Sequence, residues 1–226
     1  MIASKRNLEN SAMRRAAREG HIDLVELCKE WGATDFNGAM WAAASKGHVE
    51  IVKLCKEWRA TNFDDAMWIA VYGEGHVEIV KLCKDWGATN FSEVMAIAAS
   101  KGHIEVVKLC KDWGATDFTK AMWLAAYGGH IDIVKLCKNL GAIDFDDDVW
   151  AALHGGRVEI VKLFKDWLGL GRYDSIHREL FQYHHKREFF RRIHDEVLPI
   201  AWHPDQFFDW CVDDEEKGFL GEMWKS

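Results

Sequence analysis

Apolar residues recur along this chain in short bursts, every 27 or 28 positions. In the second burst, Val49, Ile51, Val52, Leu54 and Cys55 fall along one side of a helix that runs to Trp58. A stretch of small and apolar residues from Asn37 to Lys46 precedes it, and Gly47 separates the two. The pattern predicts two short helices per unit, divided by a glycine that ends the first. Gly-His-(Ile/Val)-(Asp/Glu) begins at Gly20, Gly47, Gly75, Gly102 and Gly129, and Gly156-Arg157-Val158-Glu159 is a decayed sixth copy. A fixed period of this length predicts an all-α helical repeat solenoid of six helix pairs, each burying its faces only against its neighbours. The leucine-rich repeat has a similar period, but its Leu-x-x-Leu-x-Leu strand is missing here.

One polar position recurs with the unit: Asn10, Asn37, Asp64, Ser92, Thr119 and Asp146. All six are good N-cap residues, expected to accept hydrogen bonds from the free amides of the first turn that follows. Phe36, Phe63, Phe91, Phe118 and Phe145 stand just before it, and Trp41, Trp68, Trp123 and Trp150 four residues after it. That spacing predicts a hydrophobic staple between Phe and Trp. The fourth copy has Ala96 instead of Trp, and the first has the polar pair Glu9 and Arg14. A terminal repeat needs a polar outer face, so the first copy is expected to be the amino-terminal cap.

The run Ala-Ala-x-x-Gly-His-(Val/Ile)-(Glu/Asp)-Ile-Val-Lys-Leu, at 43–54 and again at 125–136, closely resembles the ankyrin repeat. The likeness covers roughly residues 8–167. It implies an inner first helix and an outer second helix in each unit, with a concave groove that holds a partner protein. Departures are plain. The family unit has 33 residues, and the six missing here fall between Gly-Ala-Thr and the next Ala-Met-Trp, which implies reduced β-hairpins. The family's Thr-Pro-Leu-His start is gone, and the alanine closing the second helix becomes Trp31, Trp58, Trp86, Trp113 or Trp167. The wording Cys-Lys-x-Trp-Gly-Ala, with the tail Ala201-Trp202-His203-Pro204-Asp205, resembles the ankyrin-repeat proteins of giant DNA viruses. This implies a viral protein acting on a host or viral protein, in the host cytoplasm.

Periodicity stops at Trp167. Residues 1–168 are therefore read as repeats, and residues 169–226 as a helical carboxy-terminal segment packed on the last one. Val197-Leu198-Pro199-Ile200 faintly resembles the start of an F-box-like module, which would imply a substrate adaptor for a ubiquitin ligase. A third reading is an architectural protein of a virus particle. The tail's His177, His184, His185, His194, His203 and Cys211 lack the tight spacing of a zinc site.

A net charge of −7 on 226 residues speaks against a general nucleic-acid or anionic-membrane binder, both of which need a basic footprint. No stretch has the length and apolarity of a signal peptide or membrane span. Cys28, Cys55, Cys83, Cys110 and Cys137 recur one per unit, too far apart to bridge if the units stack at helix-packing distance. They are expected to be reduced core residues of an intracellular protein. There is no nucleophile beside a base and no phosphate loop, so neither an enzyme nor a cofactor is expected. The repeated histidines His48, His76, His103 and His130 are read as structural.

The copies differ most between the shared small residues and Gly-His. By resemblance these turns line the groove, so Arg18, Ser45, Lys46, Tyr72, Glu74, Ser100, Lys101, Tyr127 and His154 are the expected partner-binding residues. The partner is expected to be a protein, bound by a monomer. Tyr72 and Tyr127 are the favoured contacts, tyrosine being common in binding surfaces. Tyr72 also accompanies the one-residue insertion that lengthens the step between His48 and His76.

Overall fold

A computed structural model describes residues 2–142 and 145–168. They form twelve helices in chain order, with no strand among the described residues. Five pairs lie in one compact unit, residues 1–144. These are α1 (Ile2–Glu19) with α2 (Ile22–Glu30), α3 (Phe36–Ala44) with α4 (Val49–Glu57), α5 (Phe63–Tyr72) with α6 (Val77–Asp85), α7 (Phe91–Lys101) with α8 (Ile104–Asp112), and α9 (Phe118–Gly128) with α10 (Ile131–Asn139). A second unit starts at Phe145 and contains α11 (Phe145–His154) and α12 (Val158–Leu168), which pack on each other. The expected tail, with its F-box-like echo, its histidines and Cys211, lies outside the described residues, as does the expected boundary after 168.

In the first unit the helices form two rows. First helices pack closely in the order α1, α3, α5, α7, α9, while second helices touch their neighbours more lightly. Small residues explain the close row. Ala39, Ala43 and Ala44 in α3, and their counterparts in the other first helices, are buried, and Met13, Met40, Met67, Met95 and Met122 fill the space between them. Each second helix buries one stripe, such as Ile51, Val52 and Cys55 in α4 or Val106, Val107 and Cys110 in α8. The solenoid is thus built from many small buried contacts rather than one large core.

The recurring polar residue is expected from the sequence to cap its own helix; Asn37, Asp64, Ser92 and Thr119 are not caps. The first helices start two residues earlier, at the phenylalanine, with Asp35, Asn62, Asn90 and Asp117 as N-caps. Asp35 accepts from the Gly38 amide at 3.0 Å and Asp117 from the Lys120 amide at 3.1 Å. The expected caps instead reach into the next unit. Asn10 Oδ1 accepts from the amides of Thr34 and Asp35 at 2.8 and 3.1 Å. Asn37 Oδ1 does the same for Thr61 and Asn62, and Asp64 Oδ1 for Thr89 and Asn90. One side chain thereby holds the loop that opens the following repeat.

The staple is also paired differently. Phe36, Phe63 and Phe91 pack on Trp58, Trp86 and Trp113 at the end of the second helix, with ring centroids 5.5, 5.5 and 5.3 Å apart. Lysines of the preceding unit cover those indoles: Lys29 Nζ lies 4.2 Å from the Trp58 ring, Lys56 5.3 Å from Trp86 and Lys84 6.0 Å from Trp113. Trp58, Trp86 and Trp113 thus lie between the phenylalanine that opens their own repeat and a lysine of the preceding one.

Candidate functional site

The turn between the helices is fixed by Gly-His acting across a joint. Gly20, Gly47, Gly75, Gly102 and Gly129 all have positive φ, the left-handed backbone that ends a helix cheaply only with glycine. Over Gly20, Gly47, Gly75 and Gly102 lies the histidine of the next repeat, His48, His76, His103 and His130. A Cβ on Gly102 would stand 2.6 Å from the His130 ring, and one on Gly20 equally close to His48. The same rings carry a polar contact 30 residues back. Nε2 lies 3.0 Å from the Arg18 carbonyl oxygen for His48, 3.2 Å from Gly73 for His103 and 3.0 Å from Ser100 for His130. With the Nε2 proton in place, each ring donates to a free carbonyl at the end of a first helix. His48, His103 and His130 thereby tie successive repeats together.

His76 departs from this. Its Nε2 is buried without a hydrogen-bond partner. The inserted residue lies just ahead of it, and a Cβ on Gly73 would stand 3.3 Å from the Ser45 carbonyl oxygen.

Above this framework the first helices present two rows of side chains, one helical turn apart. The first row is Arg14, Trp41, Trp68, Ala96 and Trp123, and the second is Arg18, Ser45, Tyr72, Ser100 and Tyr127. Where both rows are aromatic the rings stack along the helix. Trp68 and Tyr72 lie 5.0 Å apart at 10°, and Trp123 and Tyr127 6.3 Å apart at 13°. Spacing of four residues on a helix makes them neighbours. Tyr72 is 49% exposed, Tyr127 51% and Trp41 40%. Between the two stacked pairs, α7 contributes only Ala96 and Ser100, so a low step separates two aromatic ledges.

The expected site residues fall into three groups. Tyr72 and Lys101 come together, with Lys101 Nζ 4.4 Å from the tyrosine ring. Arg18, Lys46, Glu74 and Tyr127 are exposed in their turns. Ser45 and Ser100 are half-buried; the Ser45 hydroxyl donates to the Ala42 carbonyl at 2.7 Å. His154 ends α11 in the second unit and is half-buried there. Sequence reasoning left Trp41, Trp68 and Trp123 out of the site by assigning them to a staple. The four-residue spacing of Trp68 to Tyr72 and Trp123 to Tyr127 was the available signal.

The thiols offer little chemistry at neutral pH. Burial pushes Cys55, Cys83 and Cys110 up to about 12, with the charge of Asp64 adding to the effect at Cys83. Cys28 is raised too, by burial first and by the charge of Glu9 second. All five repeat cysteines are free. Among the described residues no three of His, Cys, Asp and Glu converge as metal ligands, and no helix is long and apolar enough to cross a membrane. Neither the protein-family models nor the curated proteins compared with this chain give a match.

Proposed function

We propose that this chain is a protein-interaction module of the ankyrin-repeat kind, which binds a partner protein across the exposed rows of its first helices. One observation carries the proposal: two Trp–Tyr stacks with half-exposed tyrosines stand on alternate first helices, α5 and α9, with the low step of α7 between them. Tryptophan and tyrosine dominate the energetics of protein interfaces. Stacking also holds these rings before a partner arrives, so little rotamer freedom is lost on binding. Lys101, against the Tyr72 ring, places a cation at the rim.

The reading is tested with tagged protein and the double variant Tyr72→Ala, Tyr127→Ala. Proteins retained by the unaltered chain should be lost, or held ~1–3 kcal/mol more weakly, by the variant, the usual range for interface aromatics. Stability should fall only by ~1–3 kcal/mol, the worth of two stacked aromatic pairs at ~0.5–1.5 kcal/mol each. Unchanged retention of the same proteins would reject this face.

A further inference from the structure

The turn edge of the first helices carries cations that find no acid. On the second helices several lysines are paired: Lys53 reaches Glu50 at 3.0 Å and Glu78 at 3.7 Å, Lys81 reaches Glu105 at 3.8 Å and Lys111 reaches Asp112 at 3.1 Å. Arg18, Lys46 and Lys101, at the ends of the first helices or just beyond, are exposed and make no ion pair among the described residues. Of the acids on this edge, Glu19 is held by Arg15 at 3.1 Å, which leaves Glu74 in the longer third turn.

The stack sets two of these cations together. Lys101 lies over a ring at the end of the preceding first helix, with Nζ 4.4 Å from the Tyr72 centroid. Counted from the start of the repeat, Lys46 and Arg18 occupy the positions of Lys101 and Tyr72. The contact of the His48 ring with the Arg18 carbonyl oxygen, 3.0 Å, holds the end of α1 against the turn that carries Lys46. One joint therefore presents a cation on an aromatic ring, and the other a pair of cations with no acid between them. Arg18's position is open whatever stands beside its repeat: Tyr72 holds it in the third repeat, has a described repeat on either side, and is 49% exposed. Like charges repel, and an anion between them turns the repulsion into two attractions.

On the reading that the Trp–Tyr ledges are the binding surface, we infer that this face holds an extended protein segment, acidic at one end and apolar at the other. Its Asp or Glu carboxylates meet Arg18 and Lys46, and its aliphatic or aromatic side chains lie against Tyr72 and Tyr127. An extended chain turns every second side chain to the same side, so it can address the repeats one after another. The span sets its length. Arg18 and Tyr127 stand four first helices apart, ~32–40 Å at ~8–10 Å per packed helix, which ~10–12 residues cover at ~3.3 Å each. A basic segment is the wrong occupant, because like charges across an interface are repulsive. The whole chain, at a net charge of −7, would favour a basic segment, so a preference for acid belongs to this face alone.

The probe is a phage-displayed library of random peptides, ~12 residues long to match the span, selected on the immobilised full chain. Recovered peptides should carry Asp and Glu clustered towards one end and Trp, Tyr, Leu or Pro towards the other. A synthetic copy of one of them is then titrated by calorimetry. Arg18→Glu with Lys46→Glu should weaken it by about tenfold or more. Lys108→Glu with Lys135→Glu makes the same change of net charge on the second helices and should leave the affinity within about twofold, since exposed charges beyond a Debye length are screened. Equal weakening by that control pair would mean bulk charge and would overturn the assignment, as would a selection that recovers no peptide. Basic or uncharged peptides whose binding is lost in Tyr72→Ala, Tyr127→Ala would overturn the acidic partner and leave the Trp–Tyr ledges standing. An acidic peptide that needs Arg18 and Lys46 but binds that tyrosine variant undiminished would reject the ledges, and with them the apolar end of the segment. Circular dichroism of each variant separates lost binding from lost fold. Arg18→Gln with Lys46→Gln, expected to weaken binding by about threefold or more, keeps the test decisive if the reversed pair does not fold.

Discussion

The imidazole of His130 lies directly over Gly102, with its ring where a β-carbon on that glycine would have to be. Two constraints therefore meet at one residue, since Gly102 also has a φ of +85°. Gly114 shares the second constraint, with a φ of +97°, but a Cβ there would meet nothing within 4 Å. Gly114→Ala should cost about 1–2 kcal/mol, the strain of a left-handed alanine. Gly102→Ala should cost about 3 kcal/mol or more, because the ring must also leave the Ser100 carbonyl. Urea denaturation of the two variants decides it, and equal losses would mean that the ring simply moves aside.

The histidines should not be equivalent. His103→Ala removes a contact to the Gly73 carbonyl, whereas His76→Ala removes a ring whose Nε2 has no partner. The former should destabilise by about 1 kcal/mol more than the latter, the net worth of one hydrogen bond. Paired thermal and chemical denaturation of the two variants measures the difference.

The side chain that holds the next loop is shorter in the fourth copy. Asn37 and Asp64 each accept from two amides of the following unit, and Ser92, at the same position, makes no such bond among the described residues. Ser92→Asn should supply acceptors for the amides of Thr116 and Asp117 and raise stability by ~0.5–1.5 kcal/mol. Asn37→Ala should lower it by a similar or larger amount. An unaffected or less stable Ser92→Asn would show that the fourth joint has another spacing.

Stability should fall in alkali. The folded state holds the Cys55, Cys83 and Cys110 thiols protonated up to about 12, while an exposed thiol ionises near 9.0. Between those values the native state binds more protons than the unfolded chain, so stability decreases as pH rises. Each thiol contributes a slope of about 1.4 kcal/mol per pH unit there and none well below it. Denaturation curves from pH 7 to pH 11 should show this loss, and Cys83→Ala should flatten it by one thiol's share. In native protein at pH 8 the three should resist alkylation until the chain unfolds.

Much of the fold was legible because the unit repeats. Five Gly-His pairs in register located the ends of the first helices, and the stripe of Ile51, Val52 and Cys55 gave the buried side of the second. Tyr72 and Tyr127 were found by comparing copies, since packing does not dictate a residue that varies between equivalent turns. Trp68 and Trp123 escaped because their spacing from Phe63 and Phe118 fits a staple as well as it fits a solvent-facing ledge.

The sequence by itself determined the period, the two helices of each unit, their buried stripes and the left-handed glycines, all of which follow from local periodicity and backbone sterics. Tertiary structure decided the partners across each joint. Asn37 has the chemistry to accept an amide from its own first turn or from the next unit's loop, and only the stacking of repeats brings Thr61 and Asn62 to it. His130 has a carbonyl to meet only because Ser100 lies one unit earlier at the end of a packed helix. Phe36 meets Trp58 rather than Trp41 for the same reason.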